Sequence, residues 1–354
     1  MKKLHLLLFA FIIIISCSKS NDDFENLGNG GSIELQEEWL IARREIKDGG
    51  PGRDGIPSID DPKFINDSSD DFEGLSDDDL VIGMYFEGEA RAYPHYILDW
   101  HELVNYKMGV TPITISYCPL TGTAFAWGRE SEFGTSGLLY NNNLIMYDRE
   151  TGSLWSQLKL QCVNGDLVGQ RPTNYNIVET DWKTWKTLYP NTLVLSEDTG
   201  FSRTYGEYPY SEDYKTNHNL FYFRPAPYDK RLPSKQRVYA IIDVDKEISK
   251  VYKYQDFTGG KAIIDTFNDK KYLLVGNEDI INSFVLSEAN ELLTFQYELS
   301  TSGGFFKDNT GTIRNVFGET LSGNIGDYLT PAVSVVSYWF AIGAFYPEAE
   351  IYVP

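Results

Sequence analysis

VIGMYFEGEARAY (residues 81–93) reads as a strand, a tight Glu-Gly turn and a second strand, and VYAIIDVDKEISKV (238–251) has the same shape. Two further segments follow each of them in the same order. MYDRETGSLW (146–155) returns as FKDNTGTIR (306–314), and TWKTLYPNTLVL (184–195) returns as YWFAIGAFYPEAEIY (338–352). Each member of the last pair sets a Trp-led amphipathic turn of helix ahead of Tyr-Pro and an apolar strand. The displacement is about 155 to 160 positions, far longer than a solenoid period, so the pattern points to a duplicated unit and not a stacked array. The expected fold is mainly β with short helices (α+β), built from two pseudo-symmetric barrel- or sandwich-like copies packed together. The first copy covers residues 80–199, the second 237–354, and a Tyr- and Pro-rich connector, 200–236, joins them.

Within the first copy, strands are expected at 80–86, 90–93, 113–117, 124–127, 138–140 and 144–147, and helices at 95–105 and 181–188. Residues 34–79 read as an extended N-terminal segment. Ahead of it, Lys2 and Lys3 precede an almost unbroken apolar run (4–15) and then Ser16-Cys17. That run is too short for a comfortable membrane span of about 20 residues, and it has the layout of a secretory leader. A cysteine directly after a small residue, with aliphatic residues before it, looks like a bacterial lipobox. Residues 1–16 are therefore expected to be a lipoprotein signal peptide, with lipidation at Cys17 and stable anchoring to a lipid membrane by more than one acyl chain. Residues 17–33 hold mostly Asn, Asp, Gly and Ser and read as a flexible tether. The expected location is the outer membrane of a Gram-negative cell, facing the periplasm or the cell surface. Asp22, Asp23 and Glu25 beside the lipid site suit either an export signal to the surface or a plain solvated tether.

The formal charge is −20, and loss of Lys2 and Lys3 with the leader takes it to −22. Such a surface excludes nucleic acid as a partner, because phosphate binding needs a basic stripe. It also argues against adhesion to anionic lipid. Asp77-Asp78-Asp79 lacks the spacing of a calcium loop and reads as a solvated turn. Beyond Cys17 only Cys118 and Cys162 remain, which is no disulfide scaffold; they either pair or sit as small buried hydrophobes.

The copies differ where chemistry is expected. ILDWHELVN (97–105) and ISYCPLTGTAFAW (115–127) have counterparts DFTGGKAIID and YLLVGNEDIINSFVL, which contain neither His nor Cys. His95, His101 and His218 all lie in the first copy or the connector. The asymmetry suggests one working half and one structural half.

The strings RAYPHYILDWHELVN, SYCPLTGTAFAW, FGTSGLLYNNNLIMYDRETGSLWSQ, TWKTLYPNTLVLSEDTGFSRTYGEYPY and DKRLPSKQRV together resemble the family called domain of unknown function 3179. The resemblance runs from about Glu45 to the C-terminus. It implies an exported bacterial or archaeal protein and, as the name says, supplies no reaction. Many relatives carry Cys-Pro-Leu-Cys where this chain has Cys118-Pro119-Leu120-Thr121, so a CxxC redox pair is not expected here. Cys162 falls where relatives usually have a small residue, which suggests core filling.

A thiolate beside an imidazole can ligate one copper, zinc or iron ion, or form a nucleophile pair. Cys118 and His101 are the candidate metal ligands, and with Glu102 the candidate catalytic set. Asn105, Thr121 and Ser136 are polar neighbours suited to orient a ligand. Tyr140, Tyr147, Arg149 and Trp155, with Arg203 and Tyr205 from the connector, are candidates to line a cleft. The bland alternative is a satisfied histidine, an inert buried thiol and cross-strand aromatic packing. Three classes of function stay open: a metal or thiol redox site, a non-catalytic module for a small molecule, glycan or peptide, and a scaffold in an envelope complex. No Ser-His-Asp order, phosphate loop or two-metal carboxylate set supports a hydrolase or kinase.

Overall fold

The first hairpin, Leu80–Phe86 paired with Glu89–Pro94, turns through Glu87 and Gly88, both with positive φ, as a two-residue hairpin turn demands. Its first strand is apolar almost throughout because both of its faces are covered. Val81 and Ala92 pack in one hydrophobic cluster, while Ile82, Met84 and Tyr93 pack in another on the opposite side. The computed structural model describes residues 38–66, 74–128 and 130–354, all within one unit, Glu37–Pro354. The expected leader, Cys17 and tether lie outside the described residues.

The described residues form a mainly β structure, with 40% strand, 9% helix and three short helices. The helices are α1 (His95–His101), α2 (Trp182–Leu188) and α3 (Trp339–Phe345). Six sheets fall into three pairs of matching order. The first runs Val178–Asp181, Leu80–Phe86, Glu89–Pro94, Leu193–Leu195, with Phe64–Asn66 added at the edge. Its partner runs Ser334–Tyr338, Arg237–Asp243, Ile248–Lys253, Glu350–Ile351. In both, the last strand runs parallel to its neighbour, reached by a crossover through α2 or α3. A second pair matches Leu103–Met108, Thr111–Cys118, Thr123–Gly128, Thr173–Tyr175 with Lys261–Phe267, Lys270–Gly276, Ile281–Val285, Thr330–Pro331. The third matches Phe133–Tyr140, Asn143–Asp148, Leu154–Ser156, Gln161–Asn164 with Phe295–Tyr297, Phe306–Asp308, Ile313–Arg314, Thr320–Ser322, and Ile46–Asp48 is added to the former at its Phe133–Tyr140 edge.

The halves interlock. Trp185 of α2 packs with Leu273, Phe284 and Phe305 of the second half, whereas Trp339 and Phe340 of α3 pack with Phe125, Trp127 and Leu158 of the first. Gly83 is required at one of these contacts, since a Cβ there would stand 2.3 Å from the Trp185 ring. Backbone links cross the same boundary: the Tyr338 amide donates to the Thr121 carbonyl at 2.8 Å.

One expected element is corrected. The helix predicted over 95–105 stops at His101, and Leu103–Met108 is a strand paired with Thr111–Cys118. Glu102 breaks the helix by adopting a left-handed conformation, φ 58°. The run LVNYKM is then buried on both faces, a pattern that periodicity alone does not separate from a buried helix.

Candidate functional site

Helix α1 begins after an extended Pro94 and delivers its C-terminal turn to a cleft of about 490 Å³. Glu102 closes the helix there. Its amide donates to the Leu98 carbonyl at 2.9 Å, and its carbonyl accepts from the Tyr117 amide at 2.7 Å. A non-glycine residue in this conformation costs roughly 1–3 kcal/mol and persists only where the surroundings over-determine it, which is common at functional sites. The fixed backbone aims the Glu102 side chain at the cleft floor, where it is 3% exposed. Burial pushes its carboxyl up to about 7, opposed by a hydrogen bond from the Tyr210 hydroxyl at 3.0 Å and reinforced by the charge of Asp99.

Asp99 lies one helical turn earlier and lines the same cleft. Burial raises its carboxyl to about 6, against the pull of Lys215, whose ammonium donates to Oδ2 at 3.0 Å. Oδ1 is buried without a hydrogen-bond partner. An orphaned acceptor beside a carboxyl poised near neutrality is the polar end of the cleft. The walls are apolar: Pro51 and Ile56 come from the N-terminal segment, Leu120, Leu139 and Leu144 from the first half. The connector supplies Arg203, Tyr210 and Tyr222. Connector tyrosines fasten it across the Cys-Pro-Leu-Thr turn: Tyr208 donates to the Pro119 carbonyl and Tyr214 to that of Leu120, each at 3.0 Å.

His101 and Cys118 stand on either side of Glu102 in role but have separate partners. The Pro57 carbonyl can only accept, so His101 Nδ1 carries the proton given to it at 2.8 Å. Nε2 then accepts from the Tyr205 hydroxyl at 2.6 Å. Burial lowers the His101 pKa and keeps the ring neutral. The Cys118 thiol faces the Asn142 carbonyl at 3.5 Å, and burial, with the nearby Glu102 carboxyl, pushes it up to about 12. Both imidazole nitrogens of His101 are thus engaged, by Pro57 and Tyr205, and the Cys118 sulfur contacts a backbone carbonyl. Among the described residues, no three His, Cys, Asp or Glu side chains are grouped to hold a metal. Cys118 and Cys162 are both free and buried.

The remaining candidates divide. Arg203 belongs to the cleft, and Tyr205 fastens His101 beside it. Asn105 is fully occupied, donating to Asp60 and to the Phe133 carbonyl while accepting from Thr114. Thr121 joins Thr123, Asn143 and Gln157 in a buried network. Ser136 bonds the Ile145 carbonyl across an irregular strand pair. Tyr140 stacks edge-on against Phe345, Tyr147 bonds Asp54, and Trp155 packs with Trp127 and Phe133 in the core. These three aromatics do not share a cleft. Arg149 pairs with Asp60 at 2.8 Å and Glu132 at 3.0 Å. Asp99, Tyr210 and Lys215 were not singled out from the sequence. The i, i+3 spacing of Asp99 and Glu102 within ILDWHE was a legible signal for the first of them.

The family model described as "Protein of unknown function (DUF3179)" matches residues 53–349, so the chain belongs to that family. No curated protein and no solved structure matches it.

Proposed function

We propose that this DUF3179 member is a membrane-anchored exported protein that binds a small amphipathic molecule in the α1 cleft and exchanges a proton with it through Glu102. The observation that carries the reading is a buried carboxyl raised to about 7 at the floor of a mostly apolar cleft. Such a group is part acid and part base near neutral pH, which is the condition for proton transfer in either direction. Asp99 Oδ1 offers an acceptor to an N–H or O–H of the ligand, and Arg203 offers a charged donor to an acceptor on it. The protonated Glu102 gives its proton to a basic ligand atom and becomes a carboxylate held by the Tyr210 hydroxyl. The reverse transfer restores the acid.

The test is a ligand screen followed by calorimetry in buffers of different ionisation enthalpy, which counts protons taken up or released on binding. Proton release or uptake near pH 7 that disappears in Glu102→Gln supports the reading. Hits that bind without proton exchange, and equally well to Glu102→Gln, would remove Glu102 from the function.

The same proposal has the chain lipidated at Cys17 and displayed from the outer membrane. Labelling with an alkyne fatty acid, lost in Cys17→Ser, checks the anchor, and protease shaving of intact cells separates surface from periplasm.

We read the two halves as copies of one unit, of which the first kept the reactive groups. Matching sheet orders support this, and so do two matching loops. Asp148 accepts from the Thr151 amide and hydroxyl and holds the Trp155 indole; Asp308 accepts from the Thr310 amide and hydroxyl and holds the Arg314 guanidinium. A bulge follows at the same place in each, at Leu154/Trp155 and at Ile313/Arg314. Superposition of residues 80–199 on 237–354 is the check, and a failure to align the paired sheets in chain order would reject it.

A further inference from the structure

A second concavity lies away from α1, where the two halves meet, and its chemistry differs from that of the first. It has a volume of about 400 Å³ and takes Tyr85, Phe86 and Tyr175 from the first half and Phe317 and Tyr328 from the second. Glu319 and Asp327 stand in the same lining, and no Lys, Arg or His is among the described residues that form it. Arg314 behind it is 1% exposed and is shared by Asp308 at 2.7 Å and Asp327 at 3.1 Å. One guanidinium between two carboxylates leaves the group negative, and Glu319, which is exposed, adds a second negative charge. The Asn176 side-chain nitrogen in the lining is buried without a partner, so the wall also holds an unused donor.

We infer that this groove binds an organic cation, a quaternary or protonated amine. The argument is charge and ring complementarity. Aromatic faces attract a cation through the ring quadrupole, and carboxylates beside them reject anions and favour an ammonium group. Tyr85 and Phe317 lie nearly parallel, 24° apart with centroids at 6.3 Å, and Tyr189 stacks behind Tyr85 at 5.1 Å. These contacts hold the floor rings in place before any ligand arrives. Tyr328 is 66% exposed on the rim, where a large aromatic side chain has no packing role to explain it. Tyr328 forms an isolated antiparallel bridge with Glu319, so the two residues stand opposite each other in the lining. Asp327 is paired with Arg314 and Glu319 accepts from the Asn315 side-chain amide at 2.9 Å, but the cluster keeps a net negative charge, which favours a cation over a neutral ligand and repels an anion.

The experiment titrates the full chain with choline and, in parallel, with its uncharged carbon isostere, by calorimetry. Saturable choline binding is expected, with the isostere about tenfold weaker. Glu319→Gln and Tyr328→Ala each weaken choline by roughly three- to tenfold, with thermal unfolding unchanged because both side chains are exposed. Glu102→Gln leaves choline binding as it was, which separates this groove from the α1 cleft. Equal affinity for the isostere, insensitivity to both groove variants, or no saturation at millimolar choline would each overturn the inference.

Discussion

The Tyr210 hydroxyl, carried by the connector, donates to Glu102 Oε1 at 3.0 Å at the C-terminal end of α1. The bond favours the charged form of a carboxyl that burial otherwise holds neutral. Tyr210→Phe removes the donor without removing the ring. The Glu102 pKa should then rise above its value of about 7, by up to about one unit. Carboxyl carbon NMR against pH reads this directly, and a downward shift would refute the assigned role of the bond.

Glu102 also links stability to pH. Its folded pKa is raised above the unfolded value, so its contribution is favourable below about 4.5 and is lost as pH rises through about 7. Glu102→Gln should therefore stabilise the protein at pH 8 by roughly 2–3 kcal/mol and have little effect at pH 4.5. Urea unfolding at the two pH values checks the sign. Equal effects at both would mean that the gain came from something other than ionisation.

Lys235 is a separate case of a buried charge. Its ammonium is 3.2 Å from the Tyr214 ring centroid, 4.9 Å from that of Phe340 and 5.2 Å from that of Tyr338, with no hydrogen-bond partner. Burial pushes its pKa down to about 7, while the ring faces favour the charged form. A depressed pKa means stability that is present above about 10.5 and lost as pH falls towards 7. Lys235→Met should be more stable than the wild type by roughly 2–3 kcal/mol at pH 6, with the gap closing near pH 10. A gap of constant size across that range would sink this explanation.

Metal content by mass spectrometry addresses the His101 and Cys118 pair. The expected result is well below one equivalent of copper, zinc or iron. Near-stoichiometric metal that vanishes in both His101→Ala and Cys118→Ala would require Tyr205 to release His101 and the thiol to ionise, and would overturn the placement described above.

Much of the fold was legible along the chain. The hairpin at 81–93 showed itself by turn chemistry and apolar strands, and Trp185 and Trp339 by leading short amphipathic turns. Residues 103–105, the start of the strand Leu103–Met108, read as helix from sequence because a strand buried on both faces carries no alternation. The site was half legible. Glu102, His101 and Cys118 stand in motifs dense with unusual residues, yet their states depend on neighbours far away in sequence. Tyr210 reaches Glu102 from 108 positions away and Tyr205 reaches His101 from 104.

The sequence by itself determined the β-rich class, and it places every His and Cys beyond Cys17 between residues 95 and 218. These are local properties, written in turn residues, apolar periodicity and composition. Tertiary structure alone decided that the halves interlock, that the connector closes the cleft, and that the carboxyl and not the thiol is poised near neutrality. Burial and through-space charge set those pKa values, and both depend on which distant side chains exclude water from a group, which no local pattern records.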